Sequence, residues 1–226
     1  WSNPDAVMPS FRMDASFEGK GLGHPLIHRS ERVNNDFTFG GEGEVVLVTG
    51  SNMSGKSTFL RTLGLNLCLA YVGGPVLASS LTIGLFRLFT CIKVSDSVTD
   101  GISYFYAEVK RLKALLAALE REHSLPLFFL IDEIFRGTNN RERLIGSRSF
   151  IKALTQRRGL GMVSTHDLEL VHLEKEVSGI RNFHFRETIQ DGKMVFDYLL
   201  QPGPCPTTNA LTIMRLEGLP VDDSDS

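Results

Sequence analysis

The chain has 226 residues, of which 42% are hydrophobic and 22% are charged, and its formal net charge is −2. This composition is ordinary for a globular protein and excludes a disordered chain, and the near-neutral charge is unlike the basic surface of an autonomous DNA-binding domain. Three widely separated cysteines, Cys68, Cys91 and Cys205, form neither a disulfide framework nor a zinc motif, and they predict a reducing, cytoplasmic compartment.

The start of the chain carries no basic region followed by an apolar run, so no signal peptide is predicted. Because residue 1 is not methionine, we expect the chain to be a piece of a longer protein. We interpret residues 1–22 as an approach segment left from an upstream domain, residues 23–220 as one domain, and residues 221–226 as a disordered acidic tail.

A glycine-rich loop follows the first predicted strand. Residues 44–49 form an apolar, β-branched run typical of a buried parallel strand, and residues 56–71 have helical periodicity. Between them, residues 50–57 (GSNMSGKS) fit the pattern G-x-x-x-x-G-K-[ST]. In such a loop the backbone N–H groups surround phosphate, Lys56 supplies positive charge to the β- and γ-phosphates, and Ser57 can ligate Mg²⁺.

The sequence therefore predicts a P-loop that binds ATP together with Mg²⁺. The residues expected to bind the nucleotide here are Gly50, Ser51, Asn52, Met53, Ser54, Gly55, Lys56, Ser57 and Thr58.

The uncharged stretch 62–86 is long enough to span a membrane as a helix. It is interrupted by polar and helix-breaking residues, among them Gly73, Gly74 and Pro75, so it lacks the continuous apolar run of a spanning helix. We interpret it as the end of a buried helix followed by a loop and a strand, and we expect no membrane contact by this domain.

The rest of the chain alternates between strands and helices. Strands are predicted at 85–94, 127–131 and 161–164, helices at 104–122 and 142–155, and a helical turn at 167–173. Residues 181–189 and 193–200 are predicted to form an antiparallel hairpin around Asp191-Gly192, before a final helix at 208–217. This order predicts an α/β fold, with a mainly parallel sheet flanked by helices and a C-terminal antiparallel hairpin.

Two strand ends carry candidate catalytic residues. Asp132 and Glu133 close the apolar strand 127–131, where a carboxylate would lie beside the P-loop of a doubly wound sheet. Asp132 is expected to hold Mg²⁺, and Glu133 to orient or deprotonate the attacking water. His166 follows the next strand and could sense the γ-phosphate by a hydrogen bond.

Several motifs in the same order resemble those of the MutS family, the ATPase domain of DNA mismatch repair proteins and their relatives. The similarity runs from about residue 23 to residue 220. The motifs are GHPL at 23–26, RVNND at 32–36, TGSNMSGKST at 49–58, SYFYAE at 103–108, DEI with RGT at 132–138, STH at 164–166 and GLP at 218–220.

This resemblance implies an ABC-type ATPase head that hydrolyses ATP in a head-to-tail pair with a second copy. It also implies nucleotide contacts from His24, Arg32 and Asn35, and a contact from Ser103 to the γ-phosphate held by the other subunit. DNA would be bound through regions outside this chain.

The chain also departs from the family pattern. Arg32 stands where the family usually has an aromatic residue that stacks on adenine, and residues 139–143 (NNRER) replace small and acidic residues. These departures indicate a divergent branch related to MutS.

Other classes of P-loop protein would carry different features in their sequences. An ABC head of a transporter or of another DNA-handling system would carry an L-S-G-G-Q signature, which is absent, and a P-loop kinase would need an acceptor site and an arginine-bearing lid. A module that binds ATP without hydrolysing it shares most of these residues and stays open. A further alternative concerns the arginines of 136–148, where interspersed acids favour a solvated or dimer-facing surface over a DNA patch.

Overall fold

A computed structural model describes residues 4–92, 104–135, 137–190, 193–206, 215 and 220. Its helices are α1 (Lys56–Tyr71), α2 (Tyr104–Glu120), α3 (Asn140–Leu154), a 3₁₀ turn (Leu168–His172) and α4 (Leu173–Glu176). Its strands are β1 (Ala6–Val7), β2 (Ser10–Phe11), β3 (Phe17–Leu22), β4 (Asn35–Phe39), β5 (Val45–Thr49), β6 (Val76–Leu77), β7 (Ser80–Ile83), β8 (Arg87–Cys91), β9 (Leu127–Asp132), β10 (Gly159–Ser164), β11 (Ile180–His184), β12 (Glu187–Gln190), β13 (Lys193–Phe196) and β14 (Gln201–Pro202).

A six-stranded sheet forms the centre of the described fold, in the order β14-β11-β5-β10-β9-β8. Its neighbouring strands are parallel except for β14, which runs antiparallel to β11. A smaller sheet, β2-β7-β3-β4, contains both parallel and antiparallel pairs. The fold is therefore mixed α/β, as the alternation of predicted elements indicated.

The central strands are buried on both faces because helices cover both sides of the sheet. Along β5, Val46 and Val48 pack into the core on the α1 side, whereas Val45 and Leu47 pack into the core on the α2 and α3 side. Strand β9 alternates in the same way. This explains why the sequence of both strands is continuously apolar rather than alternating.

The N-terminal segment contributes to this core. The sequence suggested an approach segment at 1–22, but β3 pairs with β4 and β7, and Phe17 is fully buried. The Phe17 ring contacts Phe39 and Phe128, with centroid separations of 5.9 and 5.5 Å. Strand β3 is short and alternates polar with apolar residues, so its own sequence is a weak signal for a buried strand. Its burial depends on contacts with β7 and β9, which lie 60 or more residues further along the chain.

The predicted C-terminal hairpin is shorter than expected. Only β12 and β13 form it, and its Asp191-Gly192 turn lies outside the described residues. The prediction for residues 181–184 was wrong, because β11 runs parallel to β5 inside the central sheet. Ile180 and Phe183 pack into opposite faces of that sheet, which is the pattern of an interior strand.

The parallel strands bring their carboxyl ends to one edge of the sheet. Ser164 at the end of β10 pairs with Asp132 at the end of β9 and with Val48 near the end of β5. The loop 50–55 therefore starts beside the residues that follow β9 and β10.

Within the described ranges, no helix is both long and apolar enough to cross a bilayer. The predicted helix 208–217, apart from residue 215, lies outside the described residues.

Candidate functional site

The loop 50–55 turns sharply between β5 and α1. Gly50 and Gly55 have φ values of 141° and 113°, in the region that favours glycine. A Cβ atom at Gly50 would lie 2.5 Å from the Phe185 carbonyl oxygen and 2.8 Å from the Ser54 hydroxyl oxygen. Any larger residue at position 50 would therefore force this loop open.

Lys56 begins α1 and reaches back over the loop. Its side chain is buried, and Nζ donates to the carbonyl oxygens of Gly50 and Ser51, both at 2.7 Å. The first turn of α1 has no acidic residue of its own to offset the positive end of the helix. The loop mouth thus combines an ammonium group with a helix N-terminus, a setting that attracts anions.

Asp132 connects the start of α1 with two strand ends. The Ser57 hydroxyl donates to Asp132 Oδ1 at 2.8 Å, and the Ser164 hydroxyl donates to the same oxygen at 2.7 Å. Asp132 is only 5% exposed. Hydroxyl and carboxylate oxygens are the ligands that Mg²⁺ prefers, and Mg²⁺ sites commonly use one or two carboxylates together with substrate phosphates. The described residues contain no cluster of three or more His, Cys, Asp or Glu side chains suited to a metal.

Glu133 and His166 face each other beside this network. The Glu133 amide donates to the carbonyl and hydroxyl oxygens of Ser164, at 3.1 and 3.2 Å. Its φ of 56° is unusual for a non-glycine residue and turns the chain out of the strand direction. Glu133 Oε2 lies 3.7 Å from His166 Nδ1. The two predicted catalytic side chains are therefore neighbours.

A cavity of about 460 Å³ opens beside the first turn of α1. Six of the predicted nucleotide-binding residues line it: His24, Arg32, Asn35, Met53, Gly55 and Thr58. Apolar side chains, including Val33 and Phe59, form part of the same wall. Its size and its mixture of apolar and polar groups suit a small organic ligand.

Comparison with known proteins identifies the family of the chain. The family model described as MutS domain V matches residues 46–223.

The chain belongs to the MutS family.

Curated relatives in this family are DNA mismatch repair proteins MutS of two Chloroflexus aurantiacus strains, each 33% identical over 223 residues. The alignment covers 95% of this chain and 23% of each relative. The protein of the same name from Roseiflexus sp. (strain RS-1) is 32% identical over 222 residues, covering 95% of this chain and 20% of that protein. This chain thus spans less than a quarter of the length of the MutS relatives it matches.

His24 lines the cavity of this MutS-family chain, and its ring accepts a hydrogen bond from the backbone. The Leu26 amide donates to His24 Nδ1 at 3.2 Å. Partial burial, assisted by the positive charge of Arg61, lowers the pKa of His24 below its usual value. With Nδ1 accepting, the proton of the neutral ring is on Nε2, which is then a donor.

Arg32 and Asn35 line the cavity but are held by protein partners. The Arg32 guanidinium donates to Asp5 at 2.7 Å and to Asn34 at 3.1 Å. The Asn35 side chain donates to the Tyr198 carbonyl oxygen at 3.0 Å and accepts from the Leu200 amide at 2.7 Å. Both residues therefore shape this wall of the cavity.

Sequence reasoning missed Tyr198. It lines the cavity with a side chain that is 42% exposed, and its φ of 55° is unusual for a tyrosine. A Cβ atom added at Gly55 would lie 3.3 Å from its ring, so the ring sits directly against the loop. The only signal in the sequence was an aromatic residue within the predicted hairpin strand 193–200.

Glu108 is a second residue that the sequence analysis gave no role. It lies on α2, is 1% exposed, and accepts a hydrogen bond of 2.6 Å from the Phe135 amide. Phe135 has a φ of 57°, so two non-glycine residues of the segment 133–135 adopt left-handed conformations. Ser164 and Glu108 hold this strained segment from two sides.

The other predicted residues have mixed surroundings. The Ser51 hydroxyl donates to Glu187 of the hairpin, and the buried Ser54 hydroxyl has no hydrogen-bond partner among the described residues. Met53 is 83% exposed. Ser103 lies outside the described residues, so its predicted contact stays a prediction.

Proposed function

We propose that this chain is the ATP-binding and ATP-hydrolysing domain of a MutS-family protein, with the P-loop fold of an ABC-type head. The observation that carries the proposal is the contact between the glycine-rich loop and the end of β9. Lys56 is buried over the loop, whose turn at Gly50 leaves no room for a larger residue. The next residue, Ser57, bonds to Asp132 at the end of β9. This contact brings phosphate-binding and metal-binding groups together.

The triphosphate would bind in the loop 50–57, and the adenine would occupy the cavity. Lys56 would neutralise phosphate charge, and the N–H groups at the start of α1 would donate to phosphate oxygens. His24 Nε2–H and the Tyr198 ring are the groups on the cavity wall suited to a base, one by hydrogen bonding and the other by stacking.

Mg²⁺ would be held by Ser57 and Asp132, whose oxygens already meet at 2.8 Å. When bound, the ion would offset the charge on the β- and γ-phosphate oxygens. Asp132 is fixed for this role by the Ser164 hydroxyl.

Hydrolysis would proceed at the γ-phosphorus. A water oxygen forms a bond to that phosphorus as the bond to the bridging oxygen of ADP breaks, so ADP leaves and inorganic phosphate forms. Glu133 would orient this water and take up its proton, while His166, 3.7 Å away, would hydrogen-bond to the transferred phosphate.

The active site would be completed by a second copy of the chain, with Ser103 contacting the partner's γ-phosphate. In support, two neighbouring aromatic residues at the start of α2, Phe105 and Tyr106, are 37% and 52% exposed and so are accessible to a partner. DNA would be bound elsewhere in the full-length protein. Two arginines of the stretch 136–148 are engaged by acids of this chain, Arg143 by Asp167 and Arg148 by Glu176, which argues against a DNA patch there.

Calorimetric titration with Mg·ATP, together with product analysis, tests the proposal. The wild type should bind ATP and release ADP and phosphate without any acceptor besides water. Lys56→Ala should lose most of the affinity, whereas Lys113→Ala, an exposed lysine on α2, should match the wild type. Equal affinity in Lys56→Ala would overturn the assignment of the loop, and binding without turnover would favour a non-hydrolysing module.

A further inference from the structure

A two-point ion pair lies next to the site and has no role in the function proposed above. On α3, Arg143 Nε donates to Asp167 Oδ2 at 2.8 Å and Nη2 donates to Oδ1 at 2.9 Å. The side chains are 14% and 17% exposed. A bidentate pair with this geometry and burial fixes orientation more firmly than a typical surface salt bridge.

The pair joins the two segments that carry the candidate catalytic side chains. Arg143 is in the first turn of α3, the helix that follows the strand end bearing Glu133, and Asn139 caps that turn by accepting from the Glu142 amide at 3.0 Å. Asp167 directly follows His166 in the loop that leaves β10.

The loop end of the pair is itself anchored. The Asp167 amide donates to the Thr165 hydroxyl at 3.0 Å, and the Thr165 amide donates to the Val48 carbonyl oxygen at 2.9 Å. His166 lies between these anchored neighbours, and its side chain is 44% exposed. Its orientation therefore depends on how residues 165 and 167 are held.

Electrostatics agree with this arrangement. The hydrogen bond that Arg143 donates to Asp167 raises the pKa of Arg143, and the charge of Glu133 contributes to the rise. Asp167 binds the guanidinium at two points, which fixes the orientation of both side chains.

We infer that Arg143 and Asp167 are positioning residues for the proposed hydrolysis: their pair holds the loop 165–167 against α3 and so keeps His166 facing Glu133. This inference rests on the proposed function. It concerns a region where the chain departs from the family pattern, because Arg143 belongs to the stretch 139–143 that replaces small and acidic residues. The divergent stretch thus provides an internal support for the site.

The test compares Arg143→Ala, Asp167→Ala and the charge swap R143D/D167R in single-turnover ATP hydrolysis. Each single variant should lower the rate about 10- to 100-fold, the size expected when catalytic groups are misplaced by about 1 Å. The dissociation constant for ATP should change less than about threefold, because neither residue contacts the proposed nucleotide site. The swap should recover most of the rate, since it restores an ion pair with the opposite polarity.

A matched control comes from the same helix. Arg148 pairs with Glu176 on the surface of α3, so Arg148→Ala removes an arginine–carboxylate pair without touching the loop 165–167. It should hydrolyse ATP at the wild-type rate. Wild-type rates in Arg143→Ala and Asp167→Ala, or an equal loss in Arg148→Ala, would overturn the inference.

A readout without activity separates this inference from the proposed function. In NMR spectra, the His166 ring signals of the single variants should shift and broaden, and the swap should return them toward the wild type. If the wild type does not hydrolyse ATP, the proposed function fails, and the His166 signals then decide the inference alone. Arg143→Lys retains the charge but not the two-point geometry, so it should fall between wild type and Arg143→Ala if Arg143→Ala does not fold.

Discussion

Tyr198 and His24 border the same cavity from distant parts of the chain, and they would recognise the base by different means. The Tyr198 ring lies against Gly55, and Asn35 holds its backbone. This arrangement provides an aromatic surface in a chain that has Arg32 where the family usually has an aromatic residue. Arg32 is instead engaged by Asp5.

Replacing Tyr198 should therefore weaken base recognition. Tyr198→Ala should weaken ATP binding by ~1–3 kcal/mol, the usual value for loss of one aromatic–base stack. Tyr198→Phe retains the ring and should stay close to wild type. Inorganic tripolyphosphate, which has no base, should bind Tyr198→Ala and wild type equally in competition calorimetry. An equal loss for tripolyphosphate would mean that Tyr198 supports the loop rather than the base.

His24 should make stability depend on pH. Its pKa is lowered in the folded state, mainly by burial, whereas the unfolded chain should have a value near the usual one of about 6.5. Below that pH the unfolded state binds the proton more readily, so folding stability is lost as pH falls from about 6.5 toward the lowered pKa.

His24→Gln should make this loss shallower in urea unfolding at pH 7.5, 6.5 and 5.5. His123→Gln is the matched control. His123 Nδ1 accepts from the Leu125 amide at 3.0 Å, as His24 Nδ1 accepts from the Leu26 amide, but His123 is exposed. An unchanged pH dependence in His24→Gln would show that His24 titrates alike in both states.

At this scale the sequence predicted which residues of the local motif lie together, while their roles in binding and catalysis stay predictions. Lys56, Ser57 and Asp132 could be predicted because the P-loop pattern and the strand end fix their surroundings. Tyr198 and Glu108 could not, since their roles depend on contacts with residues that are distant in the chain. Asn35 was predicted as a binding residue, but its amide holds the segment 198–200.

Among the elements, α1 shows how a helix is fixed at both ends. Its N-terminus is set by the glycine-rich loop, and its last residue, Tyr71, bonds to the loop before β8. The Tyr71 hydroxyl donates to the Gly84 carbonyl oxygen at 3.0 Å and accepts from the Phe86 amide at 2.9 Å. Burial raises the pKa of Tyr71 to about 12, so the hydroxyl stays protonated at any physiological pH.

Tyr71→Phe should destabilise the fold by about 1–3 kcal/mol, because it leaves the Gly84 carbonyl and the Phe86 amide without their partner. This loss should appear in the free energy of unfolding measured with urea. The dependence of that free energy on urea concentration should not change. ATP affinity should not change, since Tyr71 lies at the opposite end of α1 from the loop. An unfolding free energy equal to that of the wild type would mean that water replaces the hydroxyl without loss.

Elements with strong periodicity were predicted closely, and so were the short strands β5, β9 and β10, whereas β11 was assigned wrongly. The bounds of α1 agree with the predicted 56–71, and α2 and α3 differ by two residues or fewer at each end. Strand β11 was assigned to a hairpin because the Asp-Gly turn signal is local, whereas its pairing with β5 joins residues 135 positions apart. Pairing partners of this kind follow from the packing of the whole sheet.

At the scale of the whole molecule, the proposed site should be completed by association. Sedimentation should find a monomer without nucleotide or with ADP, and a dimer with ATP, most clearly in Glu133→Gln because this variant should keep ATP intact. Ser103→Ala should weaken the ATP dimer by about 1–3 kcal/mol, the value of a hydrogen bond to a charged group. Specific activity that stays constant over a hundredfold dilution of a monomer would mean that one chain contains the complete site.

The central claim is that Glu133 activates water for hydrolysis of ATP bound at the loop 50–57. Its most direct test is single-turnover hydrolysis of Mg·ATP by wild type and Glu133→Gln, with the bound fraction measured in the same samples. We expect equal binding and a rate per bound ATP at least about 100-fold lower in Glu133→Gln, as is typical when a general base is lost. Weaker binding of ATP with an unchanged rate per bound ATP would contradict this account and would assign Glu133 to the metal.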